Sequence, residues 1–117
     1  FVRAARWSSQ EKNREELFRI WARSGTPVAS WTPEFDEQSL ADRNSPLVDD
    51  FIVGRYKAVV ADALKLKLIR REVSIDDWFD TRYLKNALKK QGLENYWTAY
   101  DAKGNPKAGS TASVAAR

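Results

Sequence analysis

The segment from Ser74 to Trp97, SIDDWFDTRYLKNALKKQGLENYW, holds two helix-start signals, one stop and an aromatic landing in a single short run. Ser74 and Asp77 have the spacing of a capping box, which predicts a first helix start. Asp80 repeats the signal for a second helix through Tyr83, Leu84, Ala87 and Leu88, whose spacing draws one apolar stripe. Lys85, Lys89 and Lys90 crowd the end of that helix, where cations suit the dipole. Gly92 supplies a left-handed residue to close it. Leu93, Tyr96 and Trp97 follow at once and need burial. The segment is therefore a docking element, and its expected partner is the stripe running from Val48 to Leu64.

That stripe comprises Val48, Phe51, Ile52, Tyr56, Val59, Val60, Ala63 and Leu64, and it predicts the longest helix of the chain. Ser45-Pro46 is its expected start, with Ser45 as cap, Pro46 as first helical residue and Asp49 and Asp50 near the positive end of the dipole. Gly54 is a weak point, costing about 1 kcal/mol relative to Ala, and permits a close approach of another backbone. Upstream, Phe1 to Trp7 reads as an apolar helix end with Phe1, Val2, Ala4, Ala5 and Trp7 inward. S-S-Q-E from Ser8 to Glu11 has the form of a second capping box. Leu17, Phe18, Ile20 and Trp21 then form the inner face of a helix stopped by Arg23, Ser24, Gly25 and Pro27. Between residues 26 and 44, Thr32-Pro33 suggests a short helix start and Phe35 to Arg43 a helical run. No stretch reads as a strand. The chain is expected to be mainly α, with a helical body over residues 1–102 and a flexible tail over 103–117, and with a turn at Asp101 to Pro106 spanning the junction.

Composition removes several chemistries. There is no Cys and no His, hence no thiolate site, no disulfide and no imidazole base or ligand. The chain also has no Met, which suits a processed or trimmed piece of a larger protein. Three of its 20 basic residues, Lys103, Lys107 and Arg117, follow the last acid, Asp101. Residues 1–102 thus carry 17 basic against 16 acidic groups, and this balanced body argues against a nucleic-acid face. The paired carboxylates Asp49-Asp50 and Asp76-Asp77 sit where helix caps are expected and read as dipole partners. No catalytic residue, metal ligand or cofactor site is assigned. The candidate ligand-binding residues are Arg43, a forked donor for an oxyanion, and Ser45, at the free amides of a helix start. Their ordinary alternative is a plain Ser-Pro helix start, with Arg43 paired to Asp42 or Asp49. Trp31 and Trp97 suit either a ligand cleft or the core.

The order A-A-x-W-S, F-x-I-W-A-x-S-G-T-P, D-R-N-S-P-L-V-D-D-F-I and then L-I-R-R-E-V-S-I-D-D-W-F-D-T-R-Y-L-K-N-A-L-K-K-Q-G-L-E-N-Y-W resembles the C-terminal part of periplasmic solute-binding proteins of ABC importers, of the nitrate, sulfonate and taurine type. The resemblance covers roughly residues 1–102. It implies a two-lobed α/β periplasmic-binding-protein-like (type II) fold, of which this chain is the C-terminal helical portion bracing the upstream lobe. It further implies a periplasmic location, a small anionic ligand, an ABC transporter permease as partner, and contact with the membrane only through that transporter. Two other functions are open: an enzyme on the same scaffold, desulfinase-like or thiamine-pyrimidine precursor synthase-like, and a free-standing helical interaction domain using Trp31, Trp97 and Tyr100.

Overall fold

Helix is the only extended regular structure among residues 1–108, the part described by the computed structural model. These residues fall into two compact units, one of residues 1–46 and one of residues 47–108.

The first unit contains α1 (Val2–Ser8), a 3-10 turn (Glu11–Asn13), α2 (Arg14–Ala22), α3 (Val28–Glu34) and α4 (Leu40–Arg43). S-S-Q-E does not form a capping box. The Ser8 and Ser9 hydroxyls donate back to the Ala5 carbonyl, at 3.1 and 2.7 Å, and close α1 instead. Glu11 is thereby left for longer-range use: one of its oxygens accepts from the Leu40 amide at 2.8 Å and the other pairs with Arg14. Arg14 in turn donates to the carbonyls of Phe35 and Gln38. One ion pair thus fastens the loop before α4 to the start of α2.

Leu17, Phe18, Phe35 and Leu40 form the buried core of this unit, with Trp7, Trp21 and Trp31 packed around it. The rings of Phe18 and Phe35 lie 5.5 Å apart, and Trp21 lies 5.3 Å from both Trp31 and Phe35, spacings at which tilted aromatic pairs attract. Val2 and Ala5 are inward as expected, but Phe1, Ala4 and Ile20 are exposed. Gly25, at φ 103°, ends the turns after α2 as the sequence predicts.

Pro33 does not start a helix but stands one residue before the end of α3, where few further amides are needed. The expected helix from Phe35 to Arg43 is broken by Glu37, which adopts φ 60°. Only its last turn survives as α4. Ser39 caps that turn by accepting from the Asp42 amide at 3.0 Å, while its hydroxyl donates to the Asp42 carboxylate.

The second unit contains α5 (Asp50–Lys65) and α6 (Arg82–Lys90). Ser45 is not the cap of α5; the helix begins four residues beyond Pro46, with Asp49 as cap. One Asp49 oxygen accepts from the Ile52 amide at 3.0 Å and the other from the Tyr100 amide at 2.9 Å. A carboxylate has two acceptors to offer where a serine has one hydroxyl, so Asp49 both starts the helix and anchors residue 100.

The inward stripe expected on α5 is also corrected, because none of the helix's 16 residues is buried. Its aromatic partners are present only in part. Tyr56 lies 6.4 Å from the Trp78 ring and 5.6 Å from that of Phe79, whereas Tyr83 is 76% exposed. Ser74 starts no helix. Ile75 is buried in a single turn, and Asp76 pairs with Lys57 at 2.7 Å.

Asp80 stands one residue before Thr81, the N-cap of α6, but still meets its first turn, accepting from the Arg82 amide at 3.1 Å, with the Arg82 guanidinium holding its carboxyl below the usual aspartate value. Gly92, at φ 63°, closes α6 as expected, and the Leu93 amide reaches back to the Leu88 carbonyl at 2.9 Å. Leu88, Leu93 and Trp97 are buried, and Tyr96 is half-buried. The Cα of Gly54 approaches Ala102, so that a Cβ there would meet the Ala102 Cβ at 3.9 Å.

Asp101 organises the predicted turn, accepting from the Lys103 and Asn105 amides while Tyr100 and Pro106 form an isolated bridge. Of the tail expected over 103–117, residues 103–108 belong to this turn and its exit; the rest lies outside the described residues.

Candidate functional site

Arg43 ends α4, and its side chain turns back over α3. Its guanidinium stands 2.9 Å from the Glu34 carboxylate and 4.6 Å from the centre of the Phe35 ring. Neither Asp42 nor Asp49, the partners expected from sequence, receives it in these contacts. Asp42 is engaged with Ser39 and Asp49 with Ile52 and Tyr100. Glu34 was missed because it lies nine residues away across a break in the helix. The 3.6-residue spacing rules do not reach across such a break.

Arg43 and Glu34 line a cavity of about 450 Å³ together with Ile20, Trp21, Ser24, Trp31 and Phe35. The site thus joins a forked cation to aromatic walls, with one oxygen of the Glu34 carboxylate on one arm of the fork. Trp31 is part of the wall. Its indole Nε1 is shielded from solvent and has no hydrogen-bond partner among the described residues, an uncommon state for a buried donor. A guanidinium beside aromatic faces is chemically suited to a small anion with an apolar or planar body.

Ser45 is half-buried and does not line this cavity, so the structure does not bring the two sequence candidates together there. With α5 beginning at Asp50, Ser45 also lacks the free helix amides that made it a candidate. Trp97 is only 2% exposed, which removes it from the surface patch expected with Trp31 and Tyr100.

Two further cavities belong to the second unit. One, of about 680 Å³, is lined by Lys57, Asp76 and Glu72 with Val60, Leu64 and Ile75. The other, of about 770 Å³, lies against α6 and residues 94–108. Near it, the Asp50 carboxylate accepts from Lys107 at 2.8 Å and raises that ammonium above the ordinary lysine value.

Among the described residues no group of three or more acidic, His or Cys side chains is placed to hold a metal ion. No helix there is long and apolar enough to cross a membrane. Comparison with known proteins returns no match: no family model fits the chain, and no curated protein or solved structure is similar to it.

Proposed function

We propose that this chain is the C-terminal helical part of a two-lobed solute-binding protein, of the kind that delivers a small anion such as nitrate, a sulfonate or taurine to an ABC importer in the periplasm. The observation that carries the reading is the Arg43 cavity, in which a guanidinium lies over Phe35 beside Trp21 and Trp31. A second feature supports the bracing role. α5 buries none of its residues yet carries Phe51, Ile52, Tyr56, Val59 and Leu64, a surface suited to docking on an upstream lobe.

Glu34 competes with any incoming anion for the Arg43 fork. Removing that competitor should therefore strengthen anion binding, and removing the fork should abolish it. Calorimetric titration with nitrate, methanesulfonate and taurine tests this on the wild type, Glu34→Gln and Arg43→Gln. Binding that rises in Glu34→Gln and vanishes in Arg43→Gln supports the reading. An absence of heat with all three anions in both the wild type and Glu34→Gln overturns it.

A further inference from the structure

The cavity of about 770 Å³ in the second unit has a different character from the Arg43 site. Its floor includes Leu88 and Trp97, both buried, together with Leu47. Its rim includes Lys85, Lys89 and Lys107, against a single carboxylate, Glu94. Lys107 is engaged with Asp50. Lys85 and Lys89 are not so engaged: neither ammonium has an ion-pair partner among the described residues. They stand four residues apart on α6, a spacing that puts both on one side of the helix with Leu88.

We propose that this cavity is a binding site for an amphiphilic organic acid, its anionic group held by Lys85 and Lys89 and its alkyl or aryl body laid against Leu47, Ala99 and Ala108, over the buried Leu88 and Trp97. The volume falls within the range of about 300–1000 Å³ common for small-molecule sites, where mostly apolar walls carry a few polar groups that fix orientation. The other cavities suit such a ligand less well. In the 680 Å³ cavity Lys57 is already neutralised by Asp76, and in the first unit Glu34 holds Arg43. A lysine pair is a set of point charges without the planar fork of arginine, so it selects for charge and leaves shape selection to the apolar floor. The site is separate from the Arg43 cavity, and only its physiological role rests on the solute-binding reading.

The test is a titration of the full chain with octanoate, octylammonium and 1-octanol, followed by amide NMR shifts. Octanoate should move the resonances of Lys85, Leu88, Trp97 and Ala99 saturably. Octylammonium should not, and octanol should do so only weakly. Lys85→Gln/Lys89→Gln should weaken octanoate about tenfold through loss of two part-exposed charge pairs, while Lys12→Gln/Lys65→Gln, with the same loss of charge away from the cavity, should not. Added sodium chloride should weaken octanoate binding to the wild type, a readout that needs no variant. Equal response to octanoate and octylammonium, shifts confined to other residues, or unaltered affinity in Lys85→Gln/Lys89→Gln would each overturn the proposal. Nitrate binding that depends on Arg43, with no octanoate response, would overturn it while leaving the Arg43 reading intact.

Discussion

Replacing Arg43 by Gln removes two contacts whose sizes follow from their geometry. The Glu34 pair at 2.9 Å has side chains 41% and 52% exposed, and contributes about 0.2–1 kcal/mol at such exposure. The guanidinium over Phe35 at 4.6 Å adds about 0.5–1 kcal/mol. Arg43→Gln should therefore destabilise the first unit by about 0.7–2 kcal/mol. At about 4–8 °C per kcal/mol for a small domain, the melting temperature should fall visibly. Arg43→Lys keeps the charge for Glu34 and loses the flat face over Phe35, so it should cost about half as much. The ligand reading of Arg43 predicts weakened anion binding in Arg43→Lys with a nearly unchanged melt, and a purely structural ion pair predicts the reverse; pairing with Glu34 at the cavity predicts that both move. Circular dichroism melts of the wild type, Arg43→Gln, Glu34→Gln and the double variant give the coupling between the two side chains directly. A melt of Arg43→Gln superimposable on the wild type, with no coupling to Glu34, would refute the structural account of this residue.

Leu40 is fully buried in the aromatic cluster, so Leu40→Ala should cost about 2–5 kcal/mol in denaturant titration. An effect under about half a kcal/mol would show that the cluster does not hold the unit together. Asp49→Ala removes the cap of α5 and the acceptor for Tyr100 together, and should cost about 1–2 kcal/mol, whereas Asp49→Asn keeps a side-chain oxygen and should cost less. Equal losses in the two variants would assign the effect to charge instead. The Asn105 amide, aided by the Asn105 side chain and the Lys103 and Gly104 amides, holds the Asp101 carboxyl below the ordinary aspartate value. Its contribution is present at neutral pH and is lost as pH falls through that lowered value. The Lys103 and Asn105 amide shifts should hold steady through mild acid and change only below the usual aspartate range; a midpoint at or above that range would contradict the turn.

Local signals were legible where both partners of an interaction lie within a few residues. Gly25 and Gly92 end their helices because each takes a left-handed conformation that the following chain requires. The mainly helical character followed from apolar spacing alone. Helix starts were less legible, since several candidate caps lie close together and tertiary partners choose among them. Asp49 displaces Ser45 because its second oxygen meets the amide of Tyr100, 51 residues away. Glu11 is diverted from its expected box by the Leu40 amide, 29 residues away. Apolar periodicity on α5 tells which side of the helix is apolar but not what covers it. Lys85 and Lys89 read from sequence as dipole partners of α6. Their second setting, over Leu88 and Trp97, exists only once residues 94–108 are folded beside the helix.

The uncovered face of α5 is large enough to matter energetically. Ile52, Tyr56, Val59 and Leu66 fall along one side of the helix and its first residue beyond, and they remain 36%, 45%, 62% and 67% exposed. At about 1.5–3 kcal/mol for burying a large apolar side chain outright, covering the remainder of all four would contribute about 3–6 kcal/mol. Association of two free molecules costs about 4–15 kcal/mol in lost rotation and translation before any side chain is ordered. The face therefore falls short of driving tight association between separate molecules. A lobe joined to this chain by a linker meets it at an effective concentration on the order of millimolar, and the same contact then suffices. An apolar face of this size is thus better suited to intramolecular bracing than to recruiting a free partner, in keeping with the role proposed for the chain.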